Sequence, residues 1–586
     1  MNPLVQRLAI TAVALSLAFP FAAQAQQATD TVAPEAATTA APKAAVHAER
    51  QMVVAANPLA AQAGLDVLRA GGSAADAVVA VQTVLGLVEP QSSGLGGGAF
   101  LVWYDAVSGK VTTFDGRETA PKAATPDLFL GADGKPLKFF DAVVGGRSVG
   151  TPGVVRLLGE VHGRHGKLGW ANLFEPAIRL ASDGFAVSPR LAALVAEDAD
   201  RLGTEPTTRD YFLPAGKAIA VGDRLTNTAY AQTLETIAKD GPDAFYKGAI
   251  AEGIVRAVGD HEANPGGLSL DDLAAYAAIE RPAVCAPYRG FEICGMGPPS
   301  SGALAIGQIL GLVEPFDIAT LGPEDPESWR IIGDATRLAF ADRGRYVADA
   351  DFVSIPKGLL NPDYLKSRSA LLRRPTALPD DQVTAGNPPW DKADLRRDGL
   401  TFEMPSTTHF VIVDAAGNIA SVTSSIENGF GARLMSGGFL LNNQLTDFSF
   451  VAEEDGRAVA NRVEPGKRPR SSMSPTIVLK DGKPVFALGS PGGSNIIPYV
   501  AKTIVALVDW KMDIGRATAL PHLTNRFGTY DLEAGTAAVS LAKDLEALGY
   551  KTAAKEQNSG LHGIALSLAG IEGGADPRRE GVAVGD

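Results

Sequence analysis

The stretch STTHFVIVDAAGNIASVTSS, residues 406–425, decides the fold of this protein. Residues 409–414 (HFVIVD) form an apolar run, and residues 419–424 (IASVTS) form a second run that alternates apolar and polar side chains. Residues 415–418 (AAGN) lie between the two runs and contain a glycine. Two such runs joined by a short glycine-containing turn are typical of a β-hairpin. The sequence therefore predicts a hairpin whose first strand begins just after Thr407.

The segment upstream of this hairpin, residues 372–406, has a different composition. It contains five prolines separated by many charged residues: Pro375, Pro379, Pro388, Pro389 and Pro405. Proline-rich, charged segments without apolar periodicity are typical of loops and linkers. We therefore predict an exposed linker over 372–406, and its boundary with the hairpin is the sharpest break in the sequence.

Thr407 is a candidate nucleophile because of this position. If the chain is cut before it, Thr407 becomes an N-terminal residue whose free amine, with a pKa of roughly 7.7–8.0 in model peptides, can act as general base for its own hydroxyl. Nucleophile and base then lie on one residue, which suits a chain with only 7 histidines. Threonine at the start of a strand is also common in ordinary structure, so this local signal alone is weak.

Composition excludes several classes of function. The chain has 586 residues, 53 Lys and Arg, and 66 Asp and Glu, for a net charge of −13. An acidic chain without a basic block is not expected to bind nucleic acid. With 2 cysteines and 7 histidines, zinc ribbons, iron–sulfur centres and disulfide-dense scaffolds are excluded. There is no phosphate-binding G-x-x-x-x-G-K-[ST] motif. Residues 489–493 (GSPGG) do not match G-x-S-x-G, which argues against a serine hydrolase. No cofactor and no metal are expected.

The N-terminus has the layout of a bacterial secretory signal. Arg7 precedes the apolar run of residues 8–23, and Ala23-Gln24-Ala25 follows as a small-x-small cleavage site. We expect a signal peptide over residues 1–25 and a periplasmic or extracellular mature protein. No later stretch is typical of a membrane span. Residues 26–48 are rich in Ala, Thr and Pro and predict a flexible leader.

Capping signals predict two consecutive helices after the leader. Asn57-Pro58 is a cap followed by proline at the first helical position, and Gly71-Gly72 ends that helix. Ser73 then caps a second helix and Asp76 follows three residues later. Residues 77–88 of this second helix are apolar nearly all round, which predicts a buried helix.

Cys285 and Cys294 bracket a predicted hairpin, residues 286–293 (APYRGFEI). In an oxidising compartment a hairpin of this length brings the two thiols close enough for a disulfide. Two free buried thiols are the alternative. Neither cysteine has a histidine nearby in sequence, so a catalytic role is not expected.

Taken together, several motifs resemble the γ-glutamyltranspeptidase family. The small-subunit motifs are STTHFVIVDAAGNIASVTSS (406–425), GGFLLNNQLTDFS (437–449), KRPRSSMSPTIV (467–478) and GSPGGSNII (489–497). The motifs nearer the N-terminus are VVAANPLAAQAGLDVLRAGGSAADAVVAV (53–81), EPQSSGLGGGAFLVWY (89–104), FDGRETAP (114–121) and GPPSSGALAIGQIL (297–310). They stand in the family's order and cover the chain from about residue 50 onward.

The resemblance implies a secreted proenzyme that cuts itself between Ser406 and Thr407. It implies a large subunit, residues 26–406, whose part after the leader spans 49–406 and includes the linker 372–406. It also implies a small catalytic subunit, residues 407–586, and the two subunits stay together as a heterodimer. The implied fold is α+β, the α-β-β-α sandwich of N-terminal nucleophile hydrolases, with two stacked antiparallel sheets between helical layers. The implied reaction transfers the γ-glutamyl group of glutathione or similar compounds to Thr407, and then to water or to an amino-acid or peptide acceptor.

The resemblance also assigns the groups that bind the donor. Arg117, in FDGRETAP, matches the arginine that binds the donor's α-carboxylate, and a guanidinium offers the bidentate geometry for that task. Ser471 and Ser472 match paired serines that donate to the same carboxylate. Asp447 matches the acid that receives the α-ammonium, with Gln444 beside it.

Four further residues complete the implied site. Gly492 and Gly493 match the glycines whose N–H groups form the oxyanion hole. Ser425 stands where many relatives have threonine, and it keeps the hydroxyl that orients Thr407. Glu427 stands where many relatives have asparagine, and it adds a second carboxylate facing the ammonium. The segment from Asp447 to Ser471 lies between lidded and lidless forms of the family and has no tyrosine, so the balance of transfer and hydrolysis stays open.

Two other functions remain as alternatives. A glutaryl or cephalosporin-type acylase would share the fold and the nucleophile, but its acyl group carries no ammonium and has no use for Asp447 and Glu427. An unprocessed γ-glutamyl-peptide binding protein would not need Thr407, Ser425 and the two glycines together. The residues present favour the transpeptidase.

Overall fold

The computed structural model describes residues 43–389, 396–399, 401, 403–404 and 406–586 of the chain. The predicted signal peptide, residues 1–25, and residues 26–42 of the predicted leader lie outside this part. Ser406 and Thr407 belong to one continuous polypeptide. The structure is therefore that of the uncut chain.

Two antiparallel seven-stranded sheets form the centre of the described chain. Sheet I contains, in spatial order, Val582–Gly585, Met52–Ala55, Thr408–Val413, Ile419–Ser425, Gly98–Asp105, Lys110–Gly116 and Ile279–Pro282. Sheet II contains, in spatial order, Val46–Ala48, Gly570–Ala575, His562–Ser567, Lys483–Gly489, Thr476–Lys480, Phe291–Gly295 and Val284–Tyr288. The smaller strands are Phe185–Ala186, Arg224–Leu225, Met435–Ser436, Phe439–Leu440, Glu453–Glu454, Arg457–Ala458, Leu523–Thr524, Thr529–Glu533 and Lys551–Lys555.

Helices cover the outer faces of both sheets. The α-helices before residue 276 are Pro58–Arg69, Ala74–Val88, Phe139–Val143, Val154–His165, Glu175–Asp183, Pro189–Glu197, Ala199–Leu202, Pro206–Phe212, Thr228–Asp240, Asp243–Tyr246, Gly248–Gly259 and Leu270–Ala275. The later α-helices are Gly302–Val313, Ile318–Leu321, Pro326–Tyr346, Pro362–Ser369, Ile496–Val508, Ile514–Ala519 and Ala542–Ala547. Short 3₁₀ turns include Gln444–Asp447 and Gly493–Asn495.

Three buried apolar clusters define the layers. Val411 and Val413 of sheet I pack with Ile477 of sheet II in a cluster between the two sheets. Phe410 and Ile412, on the other face of the same strand, pack with the helices that precede residue 276. The later helices cover the outer face of sheet II in a third cluster. This is the α-β-β-α sandwich that the sequence resemblance implied, and the prediction is confirmed.

The predicted hairpin forms at the centre of sheet I. Thr408–Val413 pairs with Ile419–Ser425 in an antiparallel register that places Thr408 opposite Ser424. All residues of both strands are buried, because one face meets the helices and the other meets sheet II. Burial on both faces explains why the first strand is continuously apolar from Phe410 to Val413 instead of alternating.

The two predicted capped helices are also present. The Asn57 side chain accepts a hydrogen bond from the Leu59 N–H, and Pro58–Arg69 follows with proline at the first helical position. Ser73 and Asp76 form a reciprocal capping box at the start of Ala74–Val88. Every residue of that second helix is buried, as its apolar composition predicted.

Two predictions about exposed segments were wrong in part. Residues 43–48 of the predicted leader belong to the fold, because Val46–Ala48 pairs with Gly570–Ala575 and the Lys43 ammonium donates to three backbone carbonyls. The predicted linker is not exposed at its end, because Met404 and Ser406 are buried. Sequence composition did not indicate these contacts, since their partners lie far away in the chain or in the pocket described below.

Cys285 and Cys294 face each other in the hairpin formed by Val284–Tyr288 and Phe291–Gly295, and a disulfide joins them. Their sulfurs and the carboxylate of Glu292 are the one group of potential metal ligands within the described residues. The disulfide occupies both sulfurs. Of the residues that the structure describes, none belongs to a helix long and apolar enough to cross a membrane.

Candidate active site

Thr407 lies at the entrance to the central hairpin of sheet I. The register of the hairpin brings it opposite Ser425, the last residue of the partner strand. The two hydroxyl oxygens, Thr407 Oγ1 and Ser425 Oγ, are 3.3 Å apart, and both residues are buried. The hairpin thus supplies the nucleophile candidate and its hydroxyl neighbour from two adjacent strands.

The carbonyl oxygen of Ser406 accepts hydrogen bonds from the hydroxyl groups of Thr407 and Ser425. Thr407 Oγ1 donates a short hydrogen bond to it, and Ser425 Oγ donates another at 3.1 Å. On the other side of the residue, the Arg579 guanidinium donates to the Thr407 carbonyl oxygen at 2.8 Å. The Ser406 carbonyl, polarised by two hydrogen bonds, therefore lies directly beside the Thr407 hydroxyl.

Gly492 and Gly493 lie between the Lys483–Gly489 strand and the Ile496–Val508 helix. Their φ angles are 135° and 56°, a backbone conformation that side-chain-bearing residues rarely adopt. A Cβ atom on Gly493 would overlap the carbonyl oxygen of Glu403. Gly493 lines the same cavity as Thr407, at the N-terminal end of a 13-residue helix whose dipole favours negative charge.

A small cavity connects these groups with the predicted donor-binding residues. It is lined by Arg117, Glu403, Met404, Thr407, Ser425, Glu427, Gln444, Asp447, Ser471, Ser472, Met473, Gly493 and Ile496. The structure therefore brings every residue predicted for catalysis or donor binding, except Gly492, to one cavity, and Gly492 adjoins it through Gly493. Its volume is about 20 Å³, whereas ligand pockets usually hold about 300–1,000 Å³. Glu403 and Met404 of the uncut chain occupy part of the space.

Arg117 pairs with Asp447 in the uncut chain. One guanidinium nitrogen donates a short hydrogen bond to Asp447 Oδ2, and the same nitrogen reaches the Arg470 carbonyl at 3.0 Å. Arg117 Nε also donates to the Pro469 carbonyl at 3.2 Å. Arg117 thus stabilises the loop that carries Ser471 and Ser472 through two backbone carbonyls. Its position in the sequence did not indicate these contacts. Gln444 Nε2 donates to Asp447 Oδ2 at 2.6 Å, beside this pair.

Three carboxyl groups surround the Arg117 guanidinium, and burial disfavours their charged forms. Burial raises the pKa of Asp447 to about 7, against the opposing effect of Arg117. Burial and the neighbouring Asp447 charge raise the pKa of Glu427 well above its usual value. Burial likewise raises the pKa of Glu118 to about 8. One guanidinium does not neutralise this group, so the cavity is suited to accept a further cation.

Glu427 links the acids to the nucleophile. Its N–H donates to Ser425 Oγ at 2.8 Å, and its carboxylate accepts from the Met404 N–H at 2.9 Å. Asn443 Nδ2 donates to its second carboxylate oxygen. Glu427 has a φ of 77°, so its backbone adopts a left-handed conformation that is uncommon for a residue with a side chain. These contacts hold the Glu427 carboxylate at the wall of the cavity.

The sequence analysis did not single out several residues that the structure places at or behind this site. They are Glu118, Arg343, Glu403, Arg470 and Arg579. Arg470 stands beside the paired serines in KRPRSSM, and Glu403 stands four residues before Thr407. Arg470 lies inside the quoted motif of residues 467–478, whereas Glu403 lies in the charged, proline-rich segment and carried no signal that set it apart.

Two buried histidines beside the site predict a pH-dependent stability. Burial, and then the proximity of His562, hold the pKa of His409 well below its usual value. Burial lowers the pKa of His562 to about 3. Both stay neutral in the folded chain but take up protons below pH 6.5 when it unfolds. The contribution of each histidine to the free energy of unfolding should therefore fall by about 1.4 kcal/mol between pH 7.5 and 5.5. The buried acids with raised pKa values change the total in the opposite direction, so the histidine contribution is measured as a difference between variants.

Urea unfolding of the uncut Thr407→Ala chain at the two pH values measures this effect. His562→Gln should remove about half of the change attributed to the two histidines, and His47→Gln, at an exposed position, should remove none. The same pH dependence in the His562→Gln chain and in its parent, or equal effects of the two substitutions, would contradict the prediction.

Comparison with known proteins agrees with this geometry. The sequence model described as Gamma-glutamyltranspeptidase matches residues 60–586. The chain belongs to the γ-glutamyltranspeptidase family. The glutathione hydrolase proenzyme of Bacillus subtilis (strain 168) is 37% identical over 552 residues, covering 91% of each chain. The acylase ACY 1 proenzyme of Pseudomonas sp. (strain SE83) is 35% identical over 546 residues, covering 91% of this chain and 93% of the relative.

A solved structure supports the fold of this γ-glutamyltranspeptidase family member. The cephalosporin acylase from Bacillus halodurans superimposes with a TM-score of 0.81 and 26% identity, covering 93% of this chain and 97% of the acylase. The family therefore includes proteins named for γ-glutamyl and for other acyl substrates on one scaffold. The side chains in the cavity must decide between these substrates.

Proposed function

We propose that this protein is a self-processing γ-glutamyltransferase and glutathione hydrolase with Thr407 as its nucleophile. The observation that carries the proposal is the contact of the Thr407 hydroxyl with the Ser406 carbonyl, in a cavity that also holds Arg117 and two carboxylates. One group of atoms can thus cut the chain, and the neighbouring charges can then recognise a zwitterionic donor.

Self-cleavage begins with attack of Thr407 Oγ1 on the carbonyl carbon of Ser406. The new C–O bond forms, the C–N bond breaks, and the hydroxyl proton passes to the departing amine of Thr407. The Ser425 hydroxyl, which donates to the Ser406 oxygen, stabilises the negative charge that develops there. Water then hydrolyses the ester and leaves Ser406 as a C-terminal carboxylate and Thr407 with a free amine.

The same hydroxyl then acts on the donor. The Thr407 amine takes the hydroxyl proton as Oγ1 attacks the γ-carbonyl carbon, and the proton goes to the leaving amine. We assign stabilisation of the oxyanion to the N–H groups of Gly492 and Gly493, which precede the Ile496–Val508 helix. Water or the amine of an amino acid or peptide resolves the γ-glutamyl ester and restores Thr407.

Charge supports a γ-glutamyl donor over a plain acyl donor. The donor's γ-glutamyl end carries an ammonium and a carboxylate on one carbon. Asp447 and Glu427 face the cavity with raised pKa values, and an ammonium between them would stabilise their ionised forms. A glutaryl group brings a carboxylate without the ammonium and adds no positive charge beside the two acids. The acylase alternative therefore requires a cation that its substrate does not supply.

The proposal includes two subunits cut from one chain and held together. Sheet I contains Met52–Ala55 and Gly98–Asp105 from before the cut, and Thr408–Val413 and Ile419–Ser425 from after it. Separation of the fragments would expose the edges of the central strands, so the cut chain should remain a heterodimer.

We also propose that the protein is exported to the periplasm and acts there. The signal-like pattern of residues 1–25 supports this. The disulfide between Cys285 and Cys294 is the kind of bond that persists in an oxidising compartment. Fractionation of cells that express the full chain, followed by N-terminal sequencing of the large subunit, tests export and the cleavage after Ala25.

Turnover of a γ-glutamyl anilide, with and without a dipeptide acceptor, tests the proposed function. We expect anilide release by the two-subunit form, and a γ-glutamyl dipeptide if transfer competes with hydrolysis. A glutaryl anilide is the matched comparison, because it differs only by the missing ammonium. Faster release from the glutaryl anilide would favour the acylase, and binding of a γ-glutamyl peptide by an uncut, inactive chain would favour the binding protein.

A further inference from the structure

Lys43, from the N-terminal part of the chain, binds a segment near the C-terminus. Its Nζ donates to the carbonyl oxygens of Asp576, Arg579 and Gly581 at 2.9, 2.5 and 2.7 Å. A lysine ammonium has three donors and no acceptor, so three converging carbonyl oxygens use all of its hydrogens. Residues 576–581 are therefore folded around this one ammonium group.

Arg579 connects the segment 576–581 with the nucleophile. Its side chain is buried. One guanidinium nitrogen donates to the Thr407 carbonyl oxygen at 2.8 Å, and Nε donates to Asn558 Oδ1 at 3.3 Å. The backbone carbonyl of the same residue is one of the three that Lys43 binds. A shift of this segment would therefore move the guanidinium relative to Thr407.

Strand pairing holds the chain on either side of the segment 576–581. Before it, Gly570–Ala575 pairs with Val46–Ala48 in sheet II. After it, Val582–Gly585 pairs with Met52–Ala55 in sheet I. The segment itself lies between these two strands and outside both ladders. The contact with Lys43 therefore fixes a connection that strand pairing leaves to side chains.

The contact joins the two sides of the cleavage site. Lys43 precedes the Ser406–Thr407 bond in the chain, whereas Arg579 follows it. The contact does not depend on that bond, so it can act before and after the cut. Cleavage requires Thr407 Oγ1 to stay beside the Ser406 carbonyl. A hydrogen bond to the Thr407 carbonyl restricts the rotation of this residue and so favours the reactive geometry.

We propose that Lys43 is a positioning residue for Thr407 and acts through Arg579. The inference rests on the proposed self-processing function and extends it to the N-terminal segment, which composition predicted to be a flexible leader. Lys43 does not contact the reacting atoms. It holds the segment 576–581 so that the Arg579 guanidinium keeps its hydrogen bond to the Thr407 carbonyl.

The rate of self-cleavage in the full chain tests the role of Lys43. The chain is made by cell-free synthesis under oxidising conditions, and a denaturing gel follows the loss of the uncut chain with time. Lys43→Met removes all three donors, and cleavage should become at least about tenfold slower. Lys43→Arg keeps the charge but cannot direct three donors from one nitrogen, so it should recover only part of the rate.

The matched control for Lys43 is Arg69→Gln. Arg69 also lies in the N-terminal part of the chain and forms an ion pair with Asp586, beyond the last strand, at 2.6 Å. Its loss should leave the rate of cleavage unchanged. Urea unfolding of both substitutions in the uncut Thr407→Ala chain shows that they are folded under the conditions of the assay. A folded Lys43→Met chain that is cleaved within twofold of the wild-type rate would overturn the inference, and so would equal slowing in the two variants.

A double-mutant cycle with Arg579→Lys tests whether Lys43 acts through Arg579. Arg579→Lys should slow cleavage by itself, because an ammonium cannot reproduce the two contacts of the guanidinium with Thr407 and Asn558. Lys43→Met should then slow the Arg579→Lys chain by less than a further twofold. If Lys43→Met slows this chain as much as it slows the wild type, the two residues act independently and the inference is wrong. If the wild type itself is not cleaved, the proposed function fails instead.

Discussion

Replacing Thr407 with alanine is expected to leave a single uncut chain without transferase or hydrolase activity. The substitution removes the hydroxyl that contacts the Ser406 carbonyl, and no bond then forms to its carbon. Both reactions use the same oxygen, so both should fall to background. A denaturing gel measures the uncut chain, and release from a γ-glutamyl anilide measures turnover.

Two further substitutions serve as comparisons for Thr407→Ala. Thr407→Ser keeps a hydroxyl and should still be cut, although more slowly. Thr408→Val is the matched control, because the neighbouring residue is buried and its Oγ1 has no hydrogen-bond partner among the described residues. It should be cut normally. Two subunits in purified Thr407→Ala, divided at this bond, would show that another residue cleaves the chain.

Replacing Asp447 with asparagine is expected to lower the specificity constant for a γ-glutamyl donor by roughly tenfold to a hundredfold. Each charge-assisted hydrogen bond to the donor ammonium contributes on the order of 1.5–3 kcal/mol, and the substitution removes one. A glutaryl donor has no ammonium, so its turnover should be unchanged or higher. Measuring both donors on wild type and Asp447→Asn separates recognition of the ammonium from general damage.

Asp509→Asn is the control for the general effect of removing a buried charge. Asp509 is also buried and forms an ion pair with Arg289 at 3.0 Å, at the far end of the Ile496–Val508 helix from the cavity. A helix of 13 residues is about 20 Å long, so Asp509→Asn removes a buried charge without touching the donor. It should change both donors equally and slightly. If Asp447→Asn weakens both donors equally, or if wild type prefers the glutaryl donor, the acylase assignment replaces the γ-glutamyl one.

The local features of this protein follow from short-range patterns in its sequence. The hairpin, the Asn57 cap and the Ser73–Asp76 capping box each depend on residues a few positions apart, so spacing alone predicted them. The candidate site residues came from motifs whose order resembles one family. Nine of the ten assigned to catalysis or donor binding line one cavity, which agrees with that order.

Tertiary structure alone decided how the charges of these motifs are paired. Arg117 and Asp447 are 330 residues apart, and only the tertiary fold brings the Gln444–Asp447 turn into contact with Arg117. Glu403 belongs to the proline-rich segment that composition predicts to be exposed, yet its carboxylate is buried against Arg343. Sequence patterns report the periodicity and local hydrogen bonding of a segment. They do not report which distant charge will compensate a buried one, because that choice depends on the folded dielectric environment and on the space left in the cavity.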